Sequence, residues 1–304
     1  MAKLNFELKI KRPRPPVQIS SVAGFVEHVV KWTFAGYVPT AFRGQRYFGW
    51  RTLPKIFRAD NNVYDSESLA VRDIVSLHPG EFEPDKTMFD RLVRMQHFGL
   101  PTRLLDVTTN PLVALWFATE PSTNADEHDG VVQAILVPQI RQRYYDSDRV
   151  SCMANLANLT KKQKSDLSIA AIDCNSIEEF NERPIVDTLV YNIGMEKSHF
   201  RKVVIADDLE LPIYVKPKMS NKRIIAQSGA FLLWGMQISS GSGKNSFRQD
   251  RIWIHEDDKG DIRRDLQLLG INERTLFPEI DKSTKFITDL YGTGGKARGI
   301  STLL

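Results

Sequence analysis

The stretch PLVALWFAT, residues 111–119, constrains the fold more than any other part of the chain. Asn110 and Pro111 make a helix start, because Asn caps free N–H groups and Pro, with φ fixed and no N–H of its own, suits the first turn. From Leu112 to Ala118 no polar face remains, so this helix has to be enclosed on nearly all sides. Its N-terminus carries unpaired backbone N–H groups and a positive dipole end beside Thr102, Arg103, Asp106, Thr108 and Thr109, which suits an anion such as a phosphate. The alternative at this stage is a well-capped buried helix with a structural Asp106/Arg103 ion pair.

A chain of 304 residues is long enough for a sizeable core, and 42% hydrophobic with 26% charged residues describes a globular protein. The net charge of +4 is spread along the chain and does not by itself require nucleic acid. The exception is the start, where Lys3, Lys9, Lys11, Arg12 and Arg14 surround alternating Leu4, Phe6, Leu8 and Ile10. That pattern predicts an edge strand followed by a Pro-rich connector, together residues 1–19. No apolar stretch of the roughly 7–15 residues of a secretory signal follows it. No run approaches the ~20 residues of a membrane span, and the expectation is a cytoplasmic protein without membrane contact. Cys152 and Cys174, the two cysteines, lack Cys-x-x-Cys spacing and fit a reducing compartment.

Read in order, Ser20 and Ser21 cap a helix over about 22–33, and 38–47 reads as a strand with Phe42 and Arg43 on opposite faces. Gly44 marks where that strand bends or admits something close. Helices are expected over 66–77 and 86–97, the second stopped by Gly99 and Pro101 and delivering Gln96 and His97 to the polar cluster. After the apolar helix, GVVQAILVP (130–138) is a strand. Residues 141–183 are polar and read as a surface insertion with helical pieces near 153–164 and 177–181. The strands KVVIA, LPIYVK, RIIAQSGAFLLW and DRIWIHE follow. Helices over 259–269 and 281–290 close the domain, leaving 292–304 as a tail.

Familiar catalytic and phosphate-binding motifs are largely absent from the sequence. Gly241-Ser242-Gly243-Lys244 lacks the Gly at 238 and the Ser or Thr at 245 that a phosphate-binding loop requires, and reads as a hairpin loop. The six histidines show no His-x-x-x-His spacing, so no metal is expected. Neither Gly-x-Ser-x-Gly nor Gly-x-Gly-x-x-Gly occurs.

Phe42-Arg43-Gly44, the run QHFGLPTRLLDVTTNPLVALWFA (96–118) and RIIAQSGAF (223–231) resemble the three signatures of the FRG domain family of bacteria and phages, and LLGINERTLFPEIDKSTKFI resembles its closing segment. The resemblance covers roughly Phe42 to Leu290, and the FRG domain is expected over 20–291. Val107 stands where an aromatic residue is common. The family supplies motif positions without a reaction. A more distant similarity, to ADP-ribosyltransferases of the Arg-Ser-Glu type, supplies a chemistry. Their aromatic-Arg-Gly strand corresponds to Phe42-Arg43-Gly44, and their Ser-Thr-Ser strand and Ala-x-x-Phe helix correspond to Val107-Thr108-Thr109 and Ala114-Leu115-Trp116-Phe117. Gln227 stands where their glutamate is sought.

The expected fold is α+β, with a mixed, largely antiparallel sheet, surrounding helices and an ADP-ribosyltransferase-like site. The similarity implies NAD as substrate, with Arg43, His97, Asp106 and Gln227 as catalytic candidates and Arg43, Gly44, Gln45, Thr102, Arg103, Thr108 and Thr109 as nucleotide-binding candidates. It further implies a transferase or NAD hydrolase acting as a toxin or anti-phage effector on a protein or nucleic-acid acceptor. Two alternatives stay open. One is nucleic-acid binding through Arg43, Arg46, Arg51, Lys55 and Arg58 interleaved with Tyr47, Trp50 and Phe57. The other is a non-catalytic module that senses a nucleotide or a phage component.

Overall fold

The computed structural model describes residues 17–58, 63–121, 128–236 and 247–278. Its strands are β1 (Val17–Gln18), β2 (Ala41–Gln45), β3 (Leu104–Thr108), β4 (Gly130–Leu136), β5 (Gln142–Tyr144), β6 (Ile213–Lys216), β7 (Gly229–Leu233) and β8 (Arg248–Ile254). They form one sheet in the order β1-β8-β4-β2-β3-β7-β6-β5. The outermost pairs, β1 with β8 and β5 with β6, are parallel, and the pairs between them are antiparallel. The fold is α+β with a mixed, largely antiparallel sheet, as expected.

The helices are α1 (Val22–Val30), α2 (Glu67–Leu77), α3 (Pro79–Phe82), α4 (Met88–His97), α5 (Pro111–Ala118), α6 (Asp148–Asn155), α7 (Lys161–Asp173), α8 (Ile177–Asn181), α9 (Pro184–Gly194), α10 (Ala206–Glu210), α11 (Lys222–Ala226), α12 (Lys259–Leu268) and α13 (Glu273–Leu276). None is long and apolar enough to cross a membrane.

Side-chain alternation sorts the core onto the two faces of the sheet. On one face, Phe42, Val132, Ala134, Ile252 and Ile254 pack under α5 and α12. On the same face but across β3, Leu104, Phe231, Leu233, Ile213 and Val215 pack under α4, α6 and α9. The opposite face carries Ala41, Leu105, Val107, Ile135, Tyr214, Ala230 and Leu232, covered by Leu53, Phe57 and Phe247.

Helix α5 starts where the sequence requires, with Asn110 accepting from the Leu112 N–H and Pro111 in the first turn. It lies hard against β2 and β4 because two glycines clear its path. A Cβ on Gly44 would stand 1.7 Å from the Ala114 backbone oxygen, and one on Gly130 2.1 Å from that of Ala118. What Gly44 admits is therefore the backbone of α5, and β2 continues through it unbroken.

Several expectations change. Residues 141–183 are no surface insertion: α6 and the turn after it bury Val150, Met153, Ala154, Leu156 and Ala157 in the core, and 142–144 is an edge strand. The polarity there belongs to the outward faces of short amphipathic helices. KVVIA forms no strand and leads instead into α10, while RIIAQSGAFLLW splits into α11 and β7 at a turn where Ser228 takes the left-handed φ of 48°. The basic strand of residues 1–16, the loop at 241–244, the helix over 281–290 and the tail lie outside the described residues.

Candidate functional site

A gap in the sheet sets the site. β2 and β3 share one registered pair, Phe42 opposite Thr108, although β2 is laddered to β4 from Ala41 to Gln45 and β3 to β7 from Leu104 to Thr108. Past Phe42 the strands part, and backbone groups that face the opening need other partners. Arg43 provides one, donating from Nη1 to the Asp106 backbone oxygen at 2.5 Å. Its Nε is buried and has no hydrogen-bond partner among the described residues. Burial draws the Arg43 guanidinium down to about 10, with Asp106 pulling it up and Arg58 pushing it further down. It is still a cation at neutral pH.

Two cavities open at this gap and share Asp106, Val107, Arg223 and Gln227. The larger, about 210 Å³, is lined by Arg43, Arg46, Trp50, Thr108 and Glu120 as well. The smaller, about 60 Å³, adds Gln96, His97, Asn221 and Phe231. Asp106 thus stands between two compartments of one cleft, exposed to both. Gln96 at the end of α4 donates from Nε2 to Asp106 Oδ2 at 2.8 Å and accepts from the Thr102 hydroxyl at 2.7 Å.

Helix α11 supplies the far wall. Arg223 and Gln227 are four residues apart, the spacing that puts both on one helical face. The Arg223 guanidinium lies 4.9 Å from the centre of the Phe277 ring, and Gln227 Nε2 donates to the Leu276 backbone oxygen at 3.0 Å. Asn221 caps α11 with Oδ1, so its amide nitrogen faces His97 Nδ1 at 3.1 Å. That NH₂ group can only donate, which makes Nδ1 an acceptor and puts the His97 proton on Nε2. The nitrogen a general base would use is already occupied.

The structure brings Arg43, Gly44, Gln45, Asp106, Thr108 and Gln227 together around the larger compartment and leaves others out. Thr108 and Thr109 spend their hydroxyls on the backbone oxygens of Gln227 at 2.7 Å and Ser228 at 3.3 Å, tying β3 to the turn before β7. Thr102 is buried behind Gln96. The Asp106/Arg103 ion pair does not form. Side chains three apart on a strand point to opposite faces, and Arg103 is buried in a bidentate pair with Glu67, at 2.7 and 2.6 Å, that Lys164 joins at 2.6 Å. Nor does the cleft sit at the N-terminus of α5: its walls come from the other end, Phe117 and Glu120, while Asn110 satisfies the helix start.

The basic and aromatic run of residues 43–58 is dispersed. Arg46 covers Trp50 at 5.3 Å beside the cleft, Phe57 packs on Tyr64, and Arg58 donates to the Leu53 backbone oxygen. Arg223 and Glu120 were not evident beforehand. The spacing of Arg223 and Gln227 within RIIAQSGAF is the signal that marks the first; Glu120 has none.

Residues 39–127 match the FRG domain. No curated protein and no solved structure matches the chain. The FRG match contains one wall of the cleft, with Arg43, Gln96, Asp106 and Thr108, and the opposite wall, with Asn221, Arg223 and Gln227, comes from residues beyond it.

Proposed function

We propose that this FRG domain-containing protein binds a pyrophosphate-bearing nucleotide of the NAD type in the cleft and cleaves its N-glycosidic bond, as an ADP-ribosyltransferase-type enzyme or NAD hydrolase. The observation that carries this is the gap between β2 and β3, which puts a buried guanidinium with an unpaired Nε and an exposed carboxylate into the same cleft. A guanidinium pairs with phosphate oxygens through two parallel donors, and Arg43 and Arg223 together balance the two charges of a pyrophosphate.

The ribose then lies beside Asp106, where the compartments meet. Asp106 Oδ2 is held by Gln96, and Oδ1 has no hydrogen bond among the described residues. That oxygen holds a ribose hydroxyl and stabilises the positive charge that develops as the bond from C1′ to the nicotinamide nitrogen breaks. Nicotinamide leaves with the bonding pair into the smaller compartment. Water attacks C1′ and loses a proton, giving ADP-ribose, nicotinamide and H⁺. With an acceptor in place of water, the acceptor nucleophile forms the new bond and loses the proton. Asp106 fits this role better than Gln227, which is neutral and already donates to Leu276. A toxin or anti-phage defence role accords with NAD depletion.

The test is incubation with NAD while nicotinamide release is followed. Release by the protein, reduced at least about 100-fold in Asp106→Asn, is expected. Absence of release with water and with candidate acceptors, together with no rise in melting temperature on adding NAD, would overturn the proposal.

A further inference from the structure

We infer that Gln96 is a positioning residue which, held in turn by Thr102, locks the Asp106 carboxylate in one rotamer with Oδ1 facing the cleft. This rests on the proposal that Asp106 is the reacting carboxylate. The hydrogen bonds run in one direction from the backbone outward. The Leu104 N–H donates to Thr102 Oγ1 at 3.1 Å, the Thr102 hydroxyl donates to Gln96 Oε1 at 2.7 Å, and Gln96 Nε2 donates to Asp106 Oδ2 at 2.8 Å. With its acceptor occupied by a backbone donor, the Thr102 hydroxyl has its proton free for Gln96. A flipped Gln96 amide would set an oxygen against the carboxylate, so the amide has a single orientation.

The burial gradient agrees with this direction. Thr102 is 1% exposed, Gln96 half-buried and Asp106 exposed, so a rigid interior group is transmitted to a carboxylate at the cleft. An exposed Asp on a strand edge otherwise samples several rotamers, and one fixed in place acts on the developing charge without reorganising. Both ends of the relay, Leu104 and Asp106, lie on β3 and its middle member Gln96 on α4, so it also registers α4 against the sheet. That second effect is what the experiment has to separate.

Gln96→Leu and Thr102→Val are compared with Thr102→Ser, which keeps the hydroxyl. Two measurements are made: nicotinamide release from NAD, and Asp106 side-chain rotamer populations from three-bond NMR couplings. Expected is a fall in kcat of about 10-fold or more in Gln96→Leu and Thr102→Val with KM little changed, and recovery in Thr102→Ser. Gln96→Leu should have no further effect in an Asp106→Asn background, because a residue acting through Asp106 has nothing left to act on. Asp106 should occupy one rotamer in the wild type and in Thr102→Ser, and several in the other two. A single Asp106 rotamer surviving in a folded Gln96→Leu overturns the inference whatever the activity. Turnover lost in Asp106→Asn but unchanged in Gln96→Leu overturns it while leaving the proposed function standing. No turnover in the wild type, with the rotamer change present, removes the NAD proposal and leaves the positioning in place.

Discussion

Arg43 reaches across the opening between β2 and β3 to the Asp106 backbone, Nη1 to oxygen at 2.5 Å, in place of the strand ladder that stops at Phe42 and Thr108. One residue therefore closes a break in the sheet and leaves a cation beside the carboxylate of the residue it holds. The break is what gives the cleft residues from both faces of the sheet.

Arg43→Lys keeps a positive charge but loses the planar fork, and an ammonium cannot serve the Asp106 oxygen and a phosphate together in the same geometry. Binding of ADP-ribose, measured by calorimetry, should weaken by about 10-fold or more, the value of a charge-assisted hydrogen bond. Because Arg43 titrates near 10, well above neutrality, its contribution to anion binding is constant from about pH 6 to 8 and is lost as pH rises through 10. A steep loss of affinity below pH 8 that disappears in Arg43→Lys would contradict this assignment.

Gly44→Ala should destabilise the fold by at least about 1–3 kcal/mol, since the new methyl meets the Ala114 backbone at 1.7 Å and neither β2 nor α5 has a flexible end to yield. Thermal unfolding gives the number. Gly80→Ala, at a helical position where a Cβ meets nothing within 4 Å, is the control and should not lower the melting temperature.

How much of this is legible in the sequence depends on range. Helix α5 is written locally, in Asn110, Pro111 and an unbroken apolar run, and so is β4, in the short apolar stretch GVVQAIL. Arg43, Asp106 and Gln227 stand out as unusual polar residues in apolar surroundings. Their meeting in one cleft depends on strand order, which local pattern does not carry. The partner of Arg103 is Glu67, 36 residues earlier and on a helix whose pattern does not set that glutamate apart from a surface residue. The core contribution of α6 is hidden for a similar reason: DRVSCMAN mixes polar and small residues, and tertiary packing buries nearly all of them.

Glu67 accepts from Arg103 and Lys164 in a site that is 3% exposed to solvent. Glu67→Gln leaves two buried cations without their anion and should cost about 3–5 kcal/mol, read from urea unfolding. Burial lowers the Lys164 ammonium below its ordinary value, so the folded state releases that proton before the unfolded chain does. Stability from this group therefore rises with pH between the folded and unfolded values, and Lys164→Met should flatten the alkaline limb of the stability curve.

Cys152 is buried and its thiol is pushed up to about 12, chiefly by burial and further by Asp148. The thiolate is the reactive form, so at pH 8 Cys152 should resist a thiol reagent in the folded protein. Cys174 is half-buried beside Arg183, whose Nε lies 3.1 Å from its sulfur. One thiol should react in the native protein and two in urea; rapid labelling of Cys152 without unfolding would contradict its placement.

The most direct test of the central claim is a crystal structure of the protein soaked with ADP-ribose. The pyrophosphate should lie within about 2.7–3.2 Å of Arg43 Nε, with a ribose hydroxyl on Asp106 Oδ1 and Arg223 on the opposite wall. ADP-ribose bound away from the gap between β2 and β3, or bound there with Arg43 Nε still unpaired and Asp106 untouched, would contradict it.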